Sequence, residues 1–273
     1  MKTLKLDFYI ETPESPFWKN RKSFEVTLQL IAESGYNGVE FLPFYLKEID
    51  IKYLKDQTSS YKLDIVCIAS GFLSAYYGLS LSHPSENIRQ LAIKNIKECI
   101  NCASNLGSRF VSIGLIKGKL LIGQTYDNAI KNFSKCLKEC SKFAKDYGIS
   151  LIIEPENRYE SNILCTVAES VRLLNNLDLS NVGLLIDTYH MNIEESNIYE
   201  AVKISSKKLL HVHIADNNRL APGKGFFDFQ SFIKYLKEIG YNSFLGIEVT
   251  PSPNIDVAVK SSAEYIKKIF TQL

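Results

Sequence analysis

The sequence has no long apolar run and no marked excess of charge of either sign. Its 273 residues carry a formal net charge of +2 at pH 7, which indicates neither a basic face for nucleic acid nor an attraction to anionic membranes. No apolar stretch approaches the length of a membrane-spanning helix. The N-terminus, MKTLKLDFYIETPE, reaches acidic residues too soon for a signal peptide. We therefore expect a cytoplasmic protein that binds neither nucleic acid nor a membrane.

Segments typical of linkers are also missing. No Pro/Gly/Ser-rich stretch, low-complexity segment or change in composition divides the chain, so we expect one domain over residues 1–273. The stretch APGKGFFDF lacks the GK[ST] ending and the preceding strand of a phosphate-binding loop. We interpret it as an ordered loop whose Asp228 caps the next helix.

Four of the six cysteines form two pairs, Cys99 with Cys102 and Cys136 with Cys140. Four thiolates could form a zinc site. Both pairs, however, continue the apolar spacing of long amphipathic helices and lack the glycine-containing turns of zinc knuckles. We interpret them as small core residues, and a disulfide framework is not expected in a cytosolic chain of this size.

One unit recurs along the chain: an amphipathic helix, a glycine and a short β-branched strand. It is seen in LQLIAESGYNGVEFL, INCASNLGSRFVSIG, CSKFAKDYGISLIIE and IKYLKEIGYNSFLGIEV. The glycine is the expected left-handed residue after each helix, and continuous apolar strands are typical of a parallel sheet buried on both faces. We predict eight strands, near residues 4–10, 37–42, 64–69, 109–114, 149–154, 182–187, 210–215 and 243–249. Eight such units predict a single α/β domain of the (β/α)8 TIM-barrel type, with an open doubly wound sheet as the alternative.

Polar residues stand at the ends of the last four predicted strands. Strand 5 ends in Glu154, strand 6 in Asp187 and strand 8 in Glu248, while strand 7 carries His211 and His213. In a barrel these ends surround one mouth. Buried carboxylates are costly without a positive partner, and no lysine or arginine occupies these strand ends. A divalent cation is the simplest partner.

Three carboxylates and one imidazole form a mostly hard donor set. Such a set favours Mn²⁺, with Mg²⁺ or Co²⁺ as alternatives, and open positions for substrate oxygens. Alternation along strand 7 places His211 and His213 on the same face, so the spacing alone leaves open which histidine is the ligand.

Several motifs resemble those of the xylose-isomerase-like TIM-barrel sugar epimerases. They are EPENRYE, DTYHMNIEE, HVHIADNNRLAPGKGFFDF and GIEV, and the similarity extends to GLSLSHPSENIRQLAI. The resemblance is to the ketose 3-epimerases, and most closely to the 5-keto-L-gluconate epimerases. It implies metal ligands at Glu154, Asp187, His213 and Glu248. It also implies that Glu160, His190 and Arg219 hold the carbonyl end of the substrate.

The resemblance further implies an isomerase that inverts the carbon next to the carbonyl of a keto-sugar or keto-aldonate. The reaction would pass through a cis-enediolate, with Glu154 and Glu248 as the catalytic acid and base. It implies that His211 is a polar wall residue beside the site. Relatives of this kind form dimers or tetramers, so a homo-oligomer is expected from the resemblance alone.

We interpret four further charged residues as solvated or structural. We interpret Glu156 as a solvated loop residue. Lys117 and Lys119 follow strand 4, where a solvated loop is favoured over contact with a substrate carboxylate or phosphate. Glu40, in NGVEFL, is expected to point into the barrel in a structural role, with substrate contact as the alternative.

Other functions remain as alternatives. An aldose–ketose or hydroxypyruvate-type isomerase, or an inosose-type dehydratase, would use the same metal and bases. A DNA-repair endonuclease of the same fold would need a histidine-rich trinuclear zinc cluster, and this chain has four histidines and no basic face. A binding barrel without activity would not need two bases around an open metal.

Overall fold

Eight parallel β-strands close into a barrel in the computed structural model, which describes residues 3–273. Each strand pairs with its neighbours in the chain, and the last strand pairs with the first. The strands are β1 (Leu6–Glu11), β2 (Gly38–Leu42), β3 (Asp64–Ile68), β4 (Phe110–Ile113), β5 (Ser150–Ile153), β6 (Val182–Asp187), β7 (Leu209–Ile214) and β8 (Leu245–Ile247). The predicted (β/α)8 TIM barrel is confirmed, and each observed strand falls at a predicted position.

Helices connect the strands and cover the barrel. Among the described residues the α-helices are α1 (Arg21–Glu33), α2 (Ile51–Ser60), α3 (Gly71–Ala75), α4 (Glu86–Leu106), α5 (Tyr126–Asp146), α6 (Val167–Leu177), α7 (Thr188–Glu194), α8 (Ile198–Ser205), α9 (Phe229–Glu238) and α10 (Ile255–Gln272). Short 3-10 helices span Leu46–Glu48 and Leu115–Lys117. Within residues 3–273, none of the helices combines the length and apolar character needed to cross a bilayer.

The amphipathic spacing of the long helices explains how they pack. In α5 the buried residues recur every three or four positions, at Ala129, Phe133, Leu137, Cys140 and Ala144. This spacing places them on one side of the helix, where Phe133, Leu137, Cys140 and Ala144 join the main hydrophobic core. Burying one face of each helix against apolar strands is what assembles the outer layer of the barrel.

Glycines follow four of the helices, as predicted. Each has a positive φ, between +68° and +79°, at Gly35, Gly107, Gly148 and Gly240. The helix cap at Asp228 is also as predicted, because its carboxylate accepts a hydrogen bond of 3.0 Å from the backbone N–H of Ser231. These local signals locate the ends of the helices without any tertiary information.

The four paired cysteines are core residues, as predicted. Cys99, Cys102, Cys136 and Cys140 are buried free thiols on α4 and α5. Burial raises the pKa of each thiol above its ordinary value. Among residues 3–273, no cysteine belongs to a group whose ligand atoms converge for a metal.

The inside of the barrel has an apolar base. Cys67, Ile152 and Leu185 form a small cluster that is separate from the main core. Since side chains alternate along a strand, Glu154 lies on the same face as Ile152, two residues further along the chain. The strands that build this base therefore lead directly to the polar groups at the mouth.

We expect Gly107→Ala to destabilise the fold by about 1–2 kcal/mol, the cost of a left-handed conformation for an L-residue. Nothing lies within 4 Å of the Cβ that alanine would add, so the loss would reflect the backbone conformation alone. Urea unfolding followed by circular dichroism measures it. Gly107→Asn is the control and should lose less, because asparagine tolerates this conformation better. Equal losses would contradict the explanation.

Candidate metal centre

Four polar side chains meet at the carboxyl ends of the last four strands. Glu154 follows β5, Asp187 ends β6, His213 lies near the end of β7, and Glu248 follows β8. One candidate ligand atom of each lies within 4.8 Å of those of the other three. The structure therefore brings together the four residues predicted as ligands. Their role as ligands stays a prediction.

The atoms that face one another in this group suit a cation. His213 Nδ1 lies 2.7 Å from Glu248 Oε2, 3.7 Å from Glu154 Oε1 and 3.9 Å from Asp187 Oδ2. Among the described residues, His213 Nδ1, Glu154 Oε1 and Glu248 Oε2 are buried and lack a partner with hydrogen-bond geometry, even though only 2.7 Å separates His213 Nδ1 from Glu248 Oε2. Leaving such atoms unpaired is costly. Their oxygen-rich composition fits a hard divalent cation.

A positive side chain also reaches this group, contrary to the expectation from the strand ends. Arg219, on the loop after β7, contacts Asp187 Oδ2 through Nη1 and lies 2.8 Å from Glu248 Oε1 through Nη2. Inspection of the strand ends did not predict this contact, because the guanidinium comes from a loop residue rather than from a strand. The backbone of Arg219 has a φ of +62°. Arg219 offsets one of the three carboxylate charges, so the need for a cation is reduced but not removed.

The two glutamates have different electrostatic surroundings. Burial raises the pKa of Glu154, and the nearby carboxylate of Glu248 acts in the same direction. Burial would also raise the pKa of Glu248, but the charges of Arg219 and His213 outweigh it and hold that pKa below its ordinary value. The pKa values of the two carboxyl groups are thus shifted in opposite directions by their surroundings.

His190 is held against the same group by a residue that the sequence reasoning missed. The backbone N–H of Asn157 donates to His190 Nδ1 at 3.3 Å, so the proton of the neutral ring is on Nε2. His190 Nε2 lies 3.7 Å from Glu154 Oε1. Burial lowers the pKa of His190. Asn157 is fully buried, and its place within the EPENRYE motif was the available signal.

Glu160 occupies a different position from the other predicted substrate-binding residues. It is exposed and lines a neighbouring cavity of about 440 Å³ together with His83, Lys119 and Tyr159. Of the described residues that line this cavity, none belongs to the four convergent ones. His190 and Arg219 thus lie against the candidate ligands, whereas Glu160 lines the neighbouring cavity.

The expectations for Glu156 and Lys117 were wrong. Both are buried, and Lys117 Nζ forms an ion pair with Glu156 Oε2. Burial raises the pKa of Glu156 to about 7, while the charge of Lys117 opposes this shift. The residues are 39 positions apart, so the sequence could not show that their charges meet. Lys119 is exposed, as a solvated loop residue would be.

Glu40 and His211 are fully buried in the barrel below the candidate ligands. Glu40 Oε1 lies 3.0 Å from His213 Nε2 and also contacts His211 Nε2. Burial would raise the pKa of Glu40, but the two imidazoles hold it well below its ordinary value. The inward orientation predicted for Glu40 is observed, and its side chain is fully buried.

We expect Lys117→Met to destabilise the fold by about 3–5 kcal/mol, because it leaves a buried carboxylate without its partner. The loss should be greater at pH 8 than at pH 5. A buried carboxyl with a raised pKa stabilises the fold less as the pH rises and the group ionises. Urea unfolding at both pH values measures this dependence.

The control for this experiment is the double variant Lys117→Met/Glu156→Leu, which replaces both charges by apolar groups. It should recover most of the stability and lose the difference between the two pH values. A single variant as stable as the wild type would show that the ion pair does not balance a buried charge.

The chain is similar in sequence and in structure to several sugar epimerases. The ketose 3-epimerase of Arthrobacter globiformis is 27% identical over 217 residues, which cover 79% of this chain and 74% of that protein. The 3-dehydro-D-guloside 4-epimerase of Escherichia coli (strain K12) is 28% identical over 231 residues, covering 80% and 84%. The D-allulose 3-epimerase from Methylomonas sp., solved in complex with D-allulose, has a TM-score of 0.84 and 22% identity over 97% of this chain and 98% of that one.

These relatives are carbohydrate epimerases, and therefore isomerases, which is the enzyme class that the motifs predict. The solved structure shares the fold. Residues 28–269 match the family described as xylose isomerase-like TIM barrel. This match spans most of the chain and agrees with the predicted resemblance. The chain belongs to the xylose isomerase-like TIM barrel family.

Proposed function

We propose that the chain is a metal-dependent epimerase that inverts the carbon next to the carbonyl of a keto-sugar or keto-aldonate. The observation that carries the proposal is the convergence of Glu154 Oε1, His213 Nδ1 and Glu248 Oε2, buried and without hydrogen bonds, at the mouth of the barrel. The names of the curated relatives, a ketose 3-epimerase and a 3-dehydro-D-guloside 4-epimerase, support the substrate class.

Glu154, Asp187, His213 and Glu248 would hold the divalent cation, which we propose to be Mn²⁺. When bound, the cation supplies Lewis-acid stabilisation of negative charge on the substrate oxygens. With a divalent cation and the guanidinium of Arg219, the three carboxylates of this group would be electrically neutral. Protonating one of the glutamates would leave a single positive charge in the group, which can offset the negative charge that develops on a substrate oxygen.

Inversion at carbon requires a proton to leave one face and another to arrive at the opposite face. Glu154 and Glu248 are the proposed pair, since they come from β5 and β8 and approach the same space from different strands. The ionised carboxylate removes the proton while the protonated one returns a proton, and their roles exchange in the reverse direction. Each such group typically contributes roughly 10²–10⁴-fold to the rate.

Other residues would hold the carbonyl end of the substrate. Arg219 and the Nε2–H group of His190 present hydrogen-bond donors beside Glu154 and Glu248. Donors in these positions can stabilise the oxygen that becomes negative in an enediolate. Glu160, in the wall of the adjoining cavity, is proposed to bind a part of the substrate further from the reacting carbon.

The proposal extends to the organisation of the chain. We propose that residues 1–273 form one domain, since the strands that close the barrel run from Leu6 to Ile247 and α10 continues to Gln272. The expected homo-oligomer stays a prediction that rests on resemblance.

We expect Mn²⁺ to stabilise the fold. At a concentration 100 times its Kd, the free energy of unfolding should rise by about 2.7 kcal/mol. Urea unfolding of chelator-treated protein, with and without added Mn²⁺, measures the rise. Asp187→Asn should reduce it by weakening the ligand set. An equal rise in the free energy of unfolding of Asp187→Asn would show that the ion binds at another site.

We expect Glu154→Gln and Glu248→Gln each to abolish epimerisation, because each removes one of the two proton carriers. Proton NMR in D₂O, with a panel of ketoses and keto-aldonates, follows deuterium at the carbon next to the carbonyl and the appearance of a new epimer. One variant is expected to retain exchange without inversion. Complete epimerisation by either variant would rule out the two-base scheme.

A control variant and a calorimetric titration complete this experiment. Glu98→Gln, on the exposed side of α4, is the control and should leave the reaction unchanged. Calorimetric titration with Mn²⁺ separates loss of the ion from loss of a proton carrier in the two variants. In the wild type, deuterium at C1 with an aldose product would indicate an aldose–ketose isomerase instead, and loss of water would indicate a dehydratase.

A further inference from the structure

Three fully buried polar side chains lie inside the barrel below the candidate ligands. Asp7 comes from β1, Glu40 from β2 and His211 from β7. Their complete burial excludes direct contact with a substrate. Polar groups in such a place are costly unless they are paired, so their presence needs a physical explanation.

The contacts of His213 explain the presence of Glu40. Its Nε2 lies 3.0 Å from Glu40 Oε1, while its Nδ1 faces Glu154, Asp187 and Glu248. A neutral imidazole has one N–H group and one lone pair. If Nε2–H donates to Glu40, the lone pair is left on Nδ1 and points at the proposed metal position.

The surrounding residues hold Glu40 in place. His211 Nε2 contacts the same oxygen of Glu40, so two imidazoles from β7 share one carboxylate from β2. The ring of Phe110 lies against that of His211, with centroids 6.2 Å apart. Glu40 is therefore fixed by His211 and His213, which are themselves buried.

The backbone of β8 leaves space for this contact. A Cβ at Gly246 would lie 2.7 Å from Glu40 Oε1, 3.0 Å from His211 Nε2 and 3.0 Å from His213 Cδ2. Any larger residue would therefore push on the three side chains where they meet. Glycine at this position allows the carboxylate to reach both imidazoles.

We propose that Glu40 is a positioning residue that fixes the ring orientation and tautomer of His213, with His211 holding Glu40 in place. The proposal rests on the proposed function, in which His213 is a metal ligand. Metal-binding histidines commonly donate their second ring N–H to a carboxylate, and loss of that partner typically costs about 10–100-fold in metal affinity. Glu40 acts on the candidate centre through His213 and touches neither the substrate nor the metal.

The first test is the Glu40→Gln variant, which keeps the size of the side chain and removes its charge. We expect the Kd for Mn²⁺, measured by calorimetry, to rise about 10–100-fold. Gly246→Ala should weaken binding in the same direction, because the added Cβ presses on Glu40 and both imidazoles without removing a donor or an acceptor. Glu98→Gln should leave the Kd unchanged. Unchanged affinity in Glu40→Gln would overturn the proposal, whatever the result for Gly246→Ala, because alanine there also presses on His213 directly.

The second test is spectroscopic and does not depend on activity. In metal-free and Mg²⁺-loaded wild type, NMR of the imidazole groups should show a downfield Nε2 proton on His213, hydrogen-bonded to a carboxylate. Glu40→Gln should shift this resonance upfield in both states. A resonance that is unaffected would overturn the proposal. If the wild type binds no metal, the proposed function fails, whereas the metal-free spectra still decide whether Glu40 holds His213.

The stoichiometry of metal binding tests a rival explanation. Ligand atoms of Glu40, His211 and His213 also converge closely enough for a metal ion. One Mn²⁺ per chain in the wild type supports the positioning role. Two ions per chain, reduced to one in Glu40→Gln, would identify the cluster as a second cation site and overturn the proposal.

Discussion

Charge compensation inside the barrel is the constraint on which the rest of this structure depends. An ionised carboxylate taken out of water costs several kcal/mol unless an opposite charge and hydrogen bonds offset it. Glu156 is balanced by Lys117, and Glu40 by two imidazoles. At the mouth, Arg219 is shared between Asp187 and Glu248. Compensation is incomplete at that point, and the proposed cation would complete it.

The barrel interior is layered, and the layers follow from strand alternation. Apolar side chains such as Ile152 and Leu185 fill the base. Residues two positions further along the same strands, Glu154 and Asp187, reach the mouth. β7 supplies His211 to the middle layer and His213 to the upper one. A rigid parallel sheet therefore sets the height of each polar group, and the helices outside it need no polar role.

Loops add the groups that the strands cannot provide. The loop after β7 carries Arg219 and is organised by Asp216, which is fully buried. The carboxylate of Asp216 accepts hydrogen bonds of 2.8, 2.8 and 3.1 Å from the backbone N–H groups of Gly223, Gly225 and Phe227. This network folds the loop back over the barrel end, so that the guanidinium reaches two strand-end carboxylates.

The sequence by itself predicted the barrel, several helix ends and the three candidate carboxylate ligands, while the choice of His213 over His211 rested on the resemblance. Glycine after a helix, β-branched runs and carboxylates at strand ends are local signals, and parallel strands bring their ends to one mouth. Tertiary structure alone decided the burial of Lys117 with Glu156, the reach of Arg219 and the contact between Glu40 and His213. These pairs join residues far apart in the chain, and pairing depends on three-dimensional distance. Spacing along a sequence therefore shows which charges are present, while only the fold decides which of them meet.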